Sequence, residues 1–336
     1  MPVNHRITLA RVPSGLPVPG DFGRDAIPAP SAGPGQLLLR TLWLSLDPYL
    51  RNVMKGHTLY GTALKPGEVM FGEVVAEVLE SRHPGFAAGE YVLARTGWQE
   101  YAVSDGRELR KVDPAVGPLA AALGVLGMPG LTGYAGLVYL GEPKPGQTVL
   151  VSAATGPVGC TVGQVARLTG ARAVGIAGSE AKCRYAVEEL GFASCLNHRA
   201  GDLAGQIRRA CPDGVDVYFD NVGDAVLVAA LANLAMHARV VLCGMIDSYS
   251  RDEPPSTGPW LGPVVRARAT VKGLVVYDHF HRMAELQKVV GGWIREGCFK
   301  YREDVTEGLE GAPEAFCRLM RGENFGKSLV RVATAR

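Results

Sequence analysis

The stretch SAATGPVGCTVG, residues 152–163, decides how the chain is read. It follows the apolar run Thr148-Val149-Leu150-Val151 and leads into the helix-forming segment QVARLTG. Glycines and a proline where a buried strand hands over to a helix serve either a tight turn or a backbone cradle for phosphate. Ala154, Gly156 and Gly159 give A-x-G-x-x-G, with Gly163 one turn further on. Small residues there let backbone amides approach a pyrophosphate at the positive end of the helix. Gly159 and Gly163 also let helix and strand approach closely. A lone glycine triplet does not separate the two purposes, but its place as the first junction of a longer alternation favours the cradle.

That alternation runs through the second half of the chain. Apolar runs at 149–153, 173–177, 194–196, 215–219, 239–244 and 270–276 are separated by helical segments such as PVGCTVGQVARLTG, AKCRYAVEELG and DAVLVAALANLAM. Six buried strands separated by helices predict an α/β architecture, a doubly wound parallel Rossmann sheet covered on both faces. The second strand ends at Gly178, where an NAD site places Asp or Glu against the adenosine 2′-hydroxyl. Gly178 cannot do that, whereas Ser179 and Lys182 suit a 2′-phosphate. Lys182 also reads as a solvated lysine at a helix start, and Glu180 lies beside it. NADP(H) is the expected cofactor.

The bulk composition narrows the class. The 336 residues exceed what one hydrophobic core serves, so two domains are expected. Residues are 47% hydrophobic and 20% charged, and the formal charge of +2 comes from 35 basic and 33 acidic residues spread along the chain. Such balance gives no support for nucleic acid or membrane as partner. The first residues, MPVNHRITLARVPSG, lack the apolar core of a signal peptide, and the seven cysteines are scattered with no CxxC pair. A cytoplasmic protein with reduced thiols is expected.

Residues 1–125 are rich in Gly and Pro, with short apolar runs such as QLLLRTLWLSL, MFGEVVAEVLE and EYVLART, and predict an irregular β domain. A Pro/Gly-rich connector, LGEPKPGQ, precedes the alternating region. RMAELQKVVGGWIREG reads as a helix ended by Gly297, and KSLVRVA as a short strand that returns to the first domain.

The segments LDPYLR (46–51), AATGPVGCTVGQVA (153–166), GIAGSEAK (175–182), YFDNVG (218–223), LCGMIDSY (242–249), GLVVY (273–277) and GENFGKSLV (322–330) resemble the medium-chain dehydrogenase/reductase superfamily. Within it they resemble the zinc-independent double-bond reductases: prostaglandin reductases, plant alkenal double-bond reductases and bacterial curcumin-reductase-like enzymes. The resemblance runs almost end to end. It implies a GroES-like catalytic domain from residues 1–125 with a return at 301–336, an inserted Rossmann NADP-binding domain at 126–300, and NADPH in the cleft between them. By this resemblance Ala154, Thr155, Gly156, Pro157, Val158 and Gly159 seat the diphosphate, and Gly178, Ser179 and Lys182 lie at the 2′-phosphate. Asn221, Cys243, Gly244, Met245, Tyr249, the backbone of Leu274, Val275 and Val276, and Asn324 contact the cofactor. Where family members have a tyrosine in NYK or NYR, this chain has Asn197-His198-Arg199. His198 is then either a phosphate donor or a surface histidine, and Arg199 adds charge.

The superfamily's alcohol dehydrogenases hold zinc with Cys and His. Here no cysteine occurs before Cys160, and the family's GHE position reads Phe71-Gly72-Glu73, so no metal is expected. The implied activity is reduction of the C=C bond of α,β-unsaturated aldehydes or ketones, with hydride going to the β-carbon and a proton to the α-carbon. Tyr249 is either the donor toward the substrate oxygen, and the proton source, or a wall of the site; the ribose hydroxyl or water is the other proton source. Tyr49 either faces substrate or packs the domain entrance, and Arg51 orders its loop. Residues 244–263 have the composition of an active-site cover or of a plain surface loop, with Trp260 and Leu261 as apolar walls in the first case. Cys243 reads as strand filler rather than nucleophile. NADPH:quinone oxidoreduction on the same scaffold is the alternative activity. An apolar final strand, ATVKGLVVY, pairing edge to edge makes a homodimer the expected assembly.

Overall fold

The computed structural model describes residues 2–56, 63–251 and 258–335. The chain divides into two compact units, one from residues 1–123 and 303–336 and one from 124–302.

The first unit is built on β1 (Val3–Leu9), β2 (Phe22–Pro28), β3 (Leu37–Ser45), the short helix α1 (Leu50–Lys55), β4 (Val74–Ser81), β5 (Tyr91–Ala94), β6 (Tyr101–Ser104) and β7 (Arg110–Val112). β1 and β2 form an antiparallel ribbon. Phe22 stacks on Trp98 at 5.6 Å between ring centroids. Trp98 is fully buried.

The second unit opens with α2 (Met128–Ala135) and continues as β8 (Thr148–Ser152), α3 (Pro157–Leu168), β9 (Arg172–Ala177), α4 (Glu180–Glu188), β10 (Ser194–Asn197), α5 (Leu203–Ala210), β11 (Val215–Asp220), α6 (Asp224–Leu231), β12 (Leu234–Leu242), α7 (Ile246–Tyr249), α8 (Gly262–Ala267), β13 (Thr270–Gly273) and α9 (Met283–Arg295). All six strands run parallel in the order β10-β9-β8-β11-β12-β13. This is the predicted doubly wound sheet. The order reverses between β8 and β11, and α/β sheets bind ligands at such a switch point, beyond the carboxyl ends of the strands. Leu150, Val174, Ile176, Ile207, Tyr218 and Val240 belong to the core on one side of the sheet.

One expectation needs correction. The last run, 270–276, is not a buried strand: β13 stops at Gly273 and most of its residues are exposed. It has only one neighbouring strand, β12, so its outer edge stays unpaired among the described residues. Its apolar residues come from an edge position rather than from a two-sided core.

The chain then re-enters the first unit with β14 (Glu303–Glu307), α10 (Ala312–Met320) and β15 (Lys327–Arg331). β15 pairs parallel to β14 and antiparallel to β3, completing the sheet β14-β15-β3-β4-β5-β7, with β6 also on β3. The predicted return of KSLVRVA is thus a strand in the middle of that sheet.

Candidate active site

The glycine turn sits at the carboxyl end of β8. Gly156 caps α3 and Pro157 takes the first helical position, where a missing N–H costs nothing. Ala153 adopts a left-handed φ of 52°, and its carbonyl accepts the Gly156 N–H at 3.0 Å, closing the turn. A Cβ on Gly159 would overlap the Ala153 carbonyl oxygen and meet Ala154 Cα at 2.8 Å. One on Gly163 would enter the ring of Phe192. Gly159 therefore brings the helix onto its own turn, while Gly163 accommodates an aromatic ring rather than a strand.

A carboxylate organises the neighbouring strand end. Asp220, fully buried at the end of β11, accepts from Ser152 Oγ at 3.0 Å, Tyr218 Oη at 2.7 Å, and the N–H groups of Val222 and Gly223 at 3.1 Å. Its backbone carbonyl accepts the N–H groups of Cys243 and Gly244. Asn221 Nδ2 donates to the Ser152 carbonyl at 2.8 Å, and its N–H to Ser152 Oγ at 2.8 Å. Ser152, Asp220 and Asn221 thus tie β8, β11 and β12 together across the switch point. Asn221 was singled out from the sequence; Ser152 and Asp220 were not. The available signal was a charged residue closing the apolar run Val217-Tyr218-Phe219 at the end of β11.

Further along this edge, the Tyr249 hydroxyl at the end of α7 accepts the Met245 N–H at 3.2 Å. Burial pushes the Cys243 thiol up to about 12, which leaves it protonated and inert. Cys160, in the first turn of α3, is likewise held at about 12 by burial. The Leu274 N–H donates to the Leu242 carbonyl at 2.9 Å, so the segment Leu274 to Val276 continues the same edge past β13. Of the proposed cover, residues 252–257 lie outside the described residues; Trp260 and Leu261 are 81% and 58% exposed.

Beyond β9, Ser179 caps α4, its hydroxyl accepting the Lys182 N–H. A Cβ on Gly178 would lie 3.2 Å from His198 Nε2 and 3.7 Å from Arg199 Nε. The imidazole and guanidinium therefore converge over Gly178. Partial burial, with the charges of Arg199 and then Lys182, lowers the His198 pKa from 6.5. The nearby carboxylate of Glu180 is engaged by Asn197 Nδ2 at 2.8 Å. Two basic side chains over a residue without a side chain, with the charge of Lys182 near enough to act on His198, make a fitting seat for a phosphate dianion, and the glycine turn fits a diphosphate. The second unit's residues thus match a phosphorylated dinucleotide.

Tyr49 and Asn324 lie in the first unit. Tyr49 is the N-cap of α1. Arg51 is fully buried and donates to the carbonyls of Pro13 and Gly15, both at 2.8 Å, so it ties the segment around residues 13–15 to α1. The Asn324 amide donates to the Gly326 carbonyl at 2.8 Å. Sequence reasoning missed a buried ion pair beside Tyr49: Lys327 Nζ lies 2.9 Å from Asp47 Oδ1 and 2.8 Å from the Leu46 carbonyl.

Two family models match the chain, one described as the N-terminal domain of oxidoreductase over residues 5–112 and one as zinc-binding dehydrogenase over residues 157–290. The described residues around Gly72 offer zinc no ligand set. A Cβ on Gly72 would meet Leu44 and Trp98 at 2.9 Å, leaving no room for a histidine, and no group of three His, Cys, Asp or Glu able to hold a metal occurs among the described residues. The NADPH-dependent curcumin reductase of Escherichia coli (strain K12) is 45% identical over 98% of this chain and 97% of its own. Prostaglandin reductase 1 of Bos taurus is 40% identical over 94% of this chain and 95% of its own. The crystal structure of CurA from Vibrio vulnificus in complex with NADPH superposes with a TM-score of 0.92 at 41% identity, covering 98% of this chain and 99% of that one. On these matches, the chain belongs to the medium-chain dehydrogenase/reductase family that includes the curcumin and prostaglandin reductases.

Proposed function

We propose that this enzyme is an NADPH-dependent reductase of the C=C bond of α,β-unsaturated aldehydes and ketones. The observation that carries the reading is the pairing, in one unit, of a glycine turn at the head of α3 with the basic seat around Gly178, in a chain 45% identical to a curcumin reductase. In this reading residues 154–159 hold the diphosphate, and Ser179, Lys182, His198 and Arg199 surround the 2′-phosphate at Gly178. Asn221, Cys243 to Met245, Leu274 to Val276 and Asn324 complete the cofactor contacts.

Bound NADPH supplies a hydride to the β-carbon of the conjugated substrate. Negative charge then collects on the carbonyl oxygen, and a hydroxyl aimed there lowers the barrier. Tyr249 takes that role, since its oxygen is fixed by the Met245 N–H, and a proton from its hydroxyl, the cofactor ribose hydroxyl or water then completes the reduction at the α-carbon. Tyr49 orients the acceptor. In this reading no metal takes part: the resemblance puts a ligand histidine at Gly72, where a Cβ would meet Leu44 and Trp98 at 2.9 Å.

The unpaired edge of β13 supports a homodimer joined strand to strand, and the absence of any described helix long and apolar enough to cross a membrane is compatible with a cytoplasmic enzyme. The test of function is NADPH oxidation followed at 340 nm across enals, enones and quinones, with and without chelator, and with product analysis. Conversion of 3-nonen-2-one to the saturated ketone at a rate insensitive to chelation supports the reading. Turnover confined to quinones, or lost on chelation, would replace it.

A further inference from the structure

We propose that Lys327 is a positioning residue: its ammonium, 281 positions from Leu46 and 280 from Asp47 in sequence, fixes the loop that presents Tyr49, and so governs turnover rather than cofactor affinity. The inference rests on the reading of Tyr49 as the residue that orients the substrate.

Lys327 is 3% exposed and Asp47 8% exposed. Lys327 Nζ spans the two residues that precede Pro48-Tyr49, donating to the Leu46 carbonyl and to Asp47 Oδ1. The other carboxylate oxygen of Asp47 accepts from Ser45 Oγ. The Asp47 carbonyl in turn accepts the Leu50 N–H at 3.1 Å, which starts α1, and the Tyr49 carbonyl accepts the Asn52 N–H at 2.9 Å. β15 adds a second tether through the Leu46 N–H to the Ser328 carbonyl at 3.2 Å. Glu303 lies opposite Lys327 in the register of β14 and β15, and its Oε1 is buried with no hydrogen-bond partner. A buried lysine is thus held among carboxyl groups and a carbonyl, and its donors set where residues 46–49 run.

Stability alone does not account for such a pair. Two buried ions are costly to desolvate, and apolar residues of similar volume commonly stabilise a fold as well or better. What the pair supplies and a hydrocarbon pair cannot is direction, because the ammonium fixes the Leu46 carbonyl and the Asp47 carboxylate at hydrogen-bond distance. Displacing a substrate-orienting group by about 1 Å costs up to ~100-fold in rate.

The experiment combines Lys327→Met, Tyr49→Phe, their double variant, the apolar pair Asp47→Leu/Lys327→Met, and Lys327→Arg, which keeps the charge but relocates the donors. Each is assayed for kcat on an enone, for NADPH binding by fluorescence and for melting temperature. The protein carries ¹³Cζ-tyrosine, and the Tyr49 resonance is identified by its loss in Tyr49→Phe. Lys327→Met is expected to lower kcat by about tenfold or more with NADPH binding within about twofold, and to add little further loss in the Tyr49→Phe background. The apolar pair is expected to recover the melting temperature but not kcat. In every Lys327 variant that folds, Lys327→Arg included, the Tyr49 resonance moves. Recovery of wild-type kcat by the apolar pair, an undiminished Lys327→Met effect without the Tyr49 hydroxyl, or an unmoved Tyr49 resonance in Lys327→Arg would overturn the proposal. The resonance needs no turnover. A shifted signal in a protein that reduces no enone therefore sinks the proposed function alone, and an unmoved signal in an active reductase sinks the positioning role alone.

Discussion

The hydroxyl of Ser152, where β8 ends, donates at 3.0 Å to the carboxylate of Asp220, where β11 ends. These are the two strands between which the order of the sheet reverses. Removing the carboxylate leaves Tyr218 Oη and the Val222 and Gly223 N–H groups without their acceptor, and a buried polar group left unpaired costs about 1–3 kcal/mol. Asp220→Ala is expected to destabilise by about 3 kcal/mol or more on that basis and to weaken NADPH binding. Urea denaturation measures the first effect and fluorescence titration the second; a wild-type unfolding midpoint would mean the carboxylate is not the organiser.

In the proposed reading Lys182 is the residue expected to separate the two nicotinamide cofactors. A charge-assisted contact to phosphate is worth about 1.5–3 kcal/mol, so Lys182→Ala should raise the KM for NADPH by about 10- to 100-fold and leave that for NADH nearly unchanged. Steady-state kinetics with both cofactors decide the matter. Equal losses with NADPH and NADH would remove Lys182 from the 2′-phosphate seat.

Gly163 faces the Phe192 ring so closely that a methyl group cannot be added without displacing it. Overpacking of this kind costs about 1–3 kcal/mol, and Gly163→Ala should lower stability by that amount. Phe192→Leu in the same chain should return part of the loss. The check is a double-mutant cycle by thermal melting, in which strict additivity would contradict the packing argument.

His198 gives a pH signature. Its folded pKa is held below 6.5, first by burial and then by the charges of Arg199 and Lys182. Between the folded and unfolded values the unfolded chain binds more protons, so stability rises with pH and falls as pH drops through 6.5. The ligand-free protein should lose melting temperature from about pH 7.5 down to about pH 5.5, and His198→Gln should flatten the part due to this residue. An identical slope in both proteins would place the proton uptake elsewhere.

How much of this was legible in the sequence follows from the range of the interactions involved. The Rossmann sheet was readable because its central strands carry short, largely buried apolar stretches, most of them followed closely by a helix. The glycine turn was readable because its chemistry is local. β13 was misjudged since an edge strand and a central strand can share one composition, and only the partner tells them apart. Ser152 and Asp220 escaped notice because a serine and an aspartate 68 residues apart carry no joint pattern until the sheet aligns them. Lys327 and Asp47, 280 residues apart, are the extreme case, since nothing in GENFGKSLV marks its lysine as buried.

The sheet of the first unit imposes an order on biosynthesis. β3 receives β15 along one edge only after some 280 further residues have left the ribosome, which at about 5–20 residues per second is roughly 15–60 s. The nucleotide-type unit, drawn from one continuous segment, is fully translated before that strand emerges. For that interval the end of β3 that β15 will cover, Trp43 to Ser45, lacks its partner strand, while β6 can already pair with Leu37 to Arg40. A nascent chain of this protein therefore spends its most aggregation-prone period with its second unit complete and its first still waiting, and slow codons placed between the two would lengthen its dependence on chaperones.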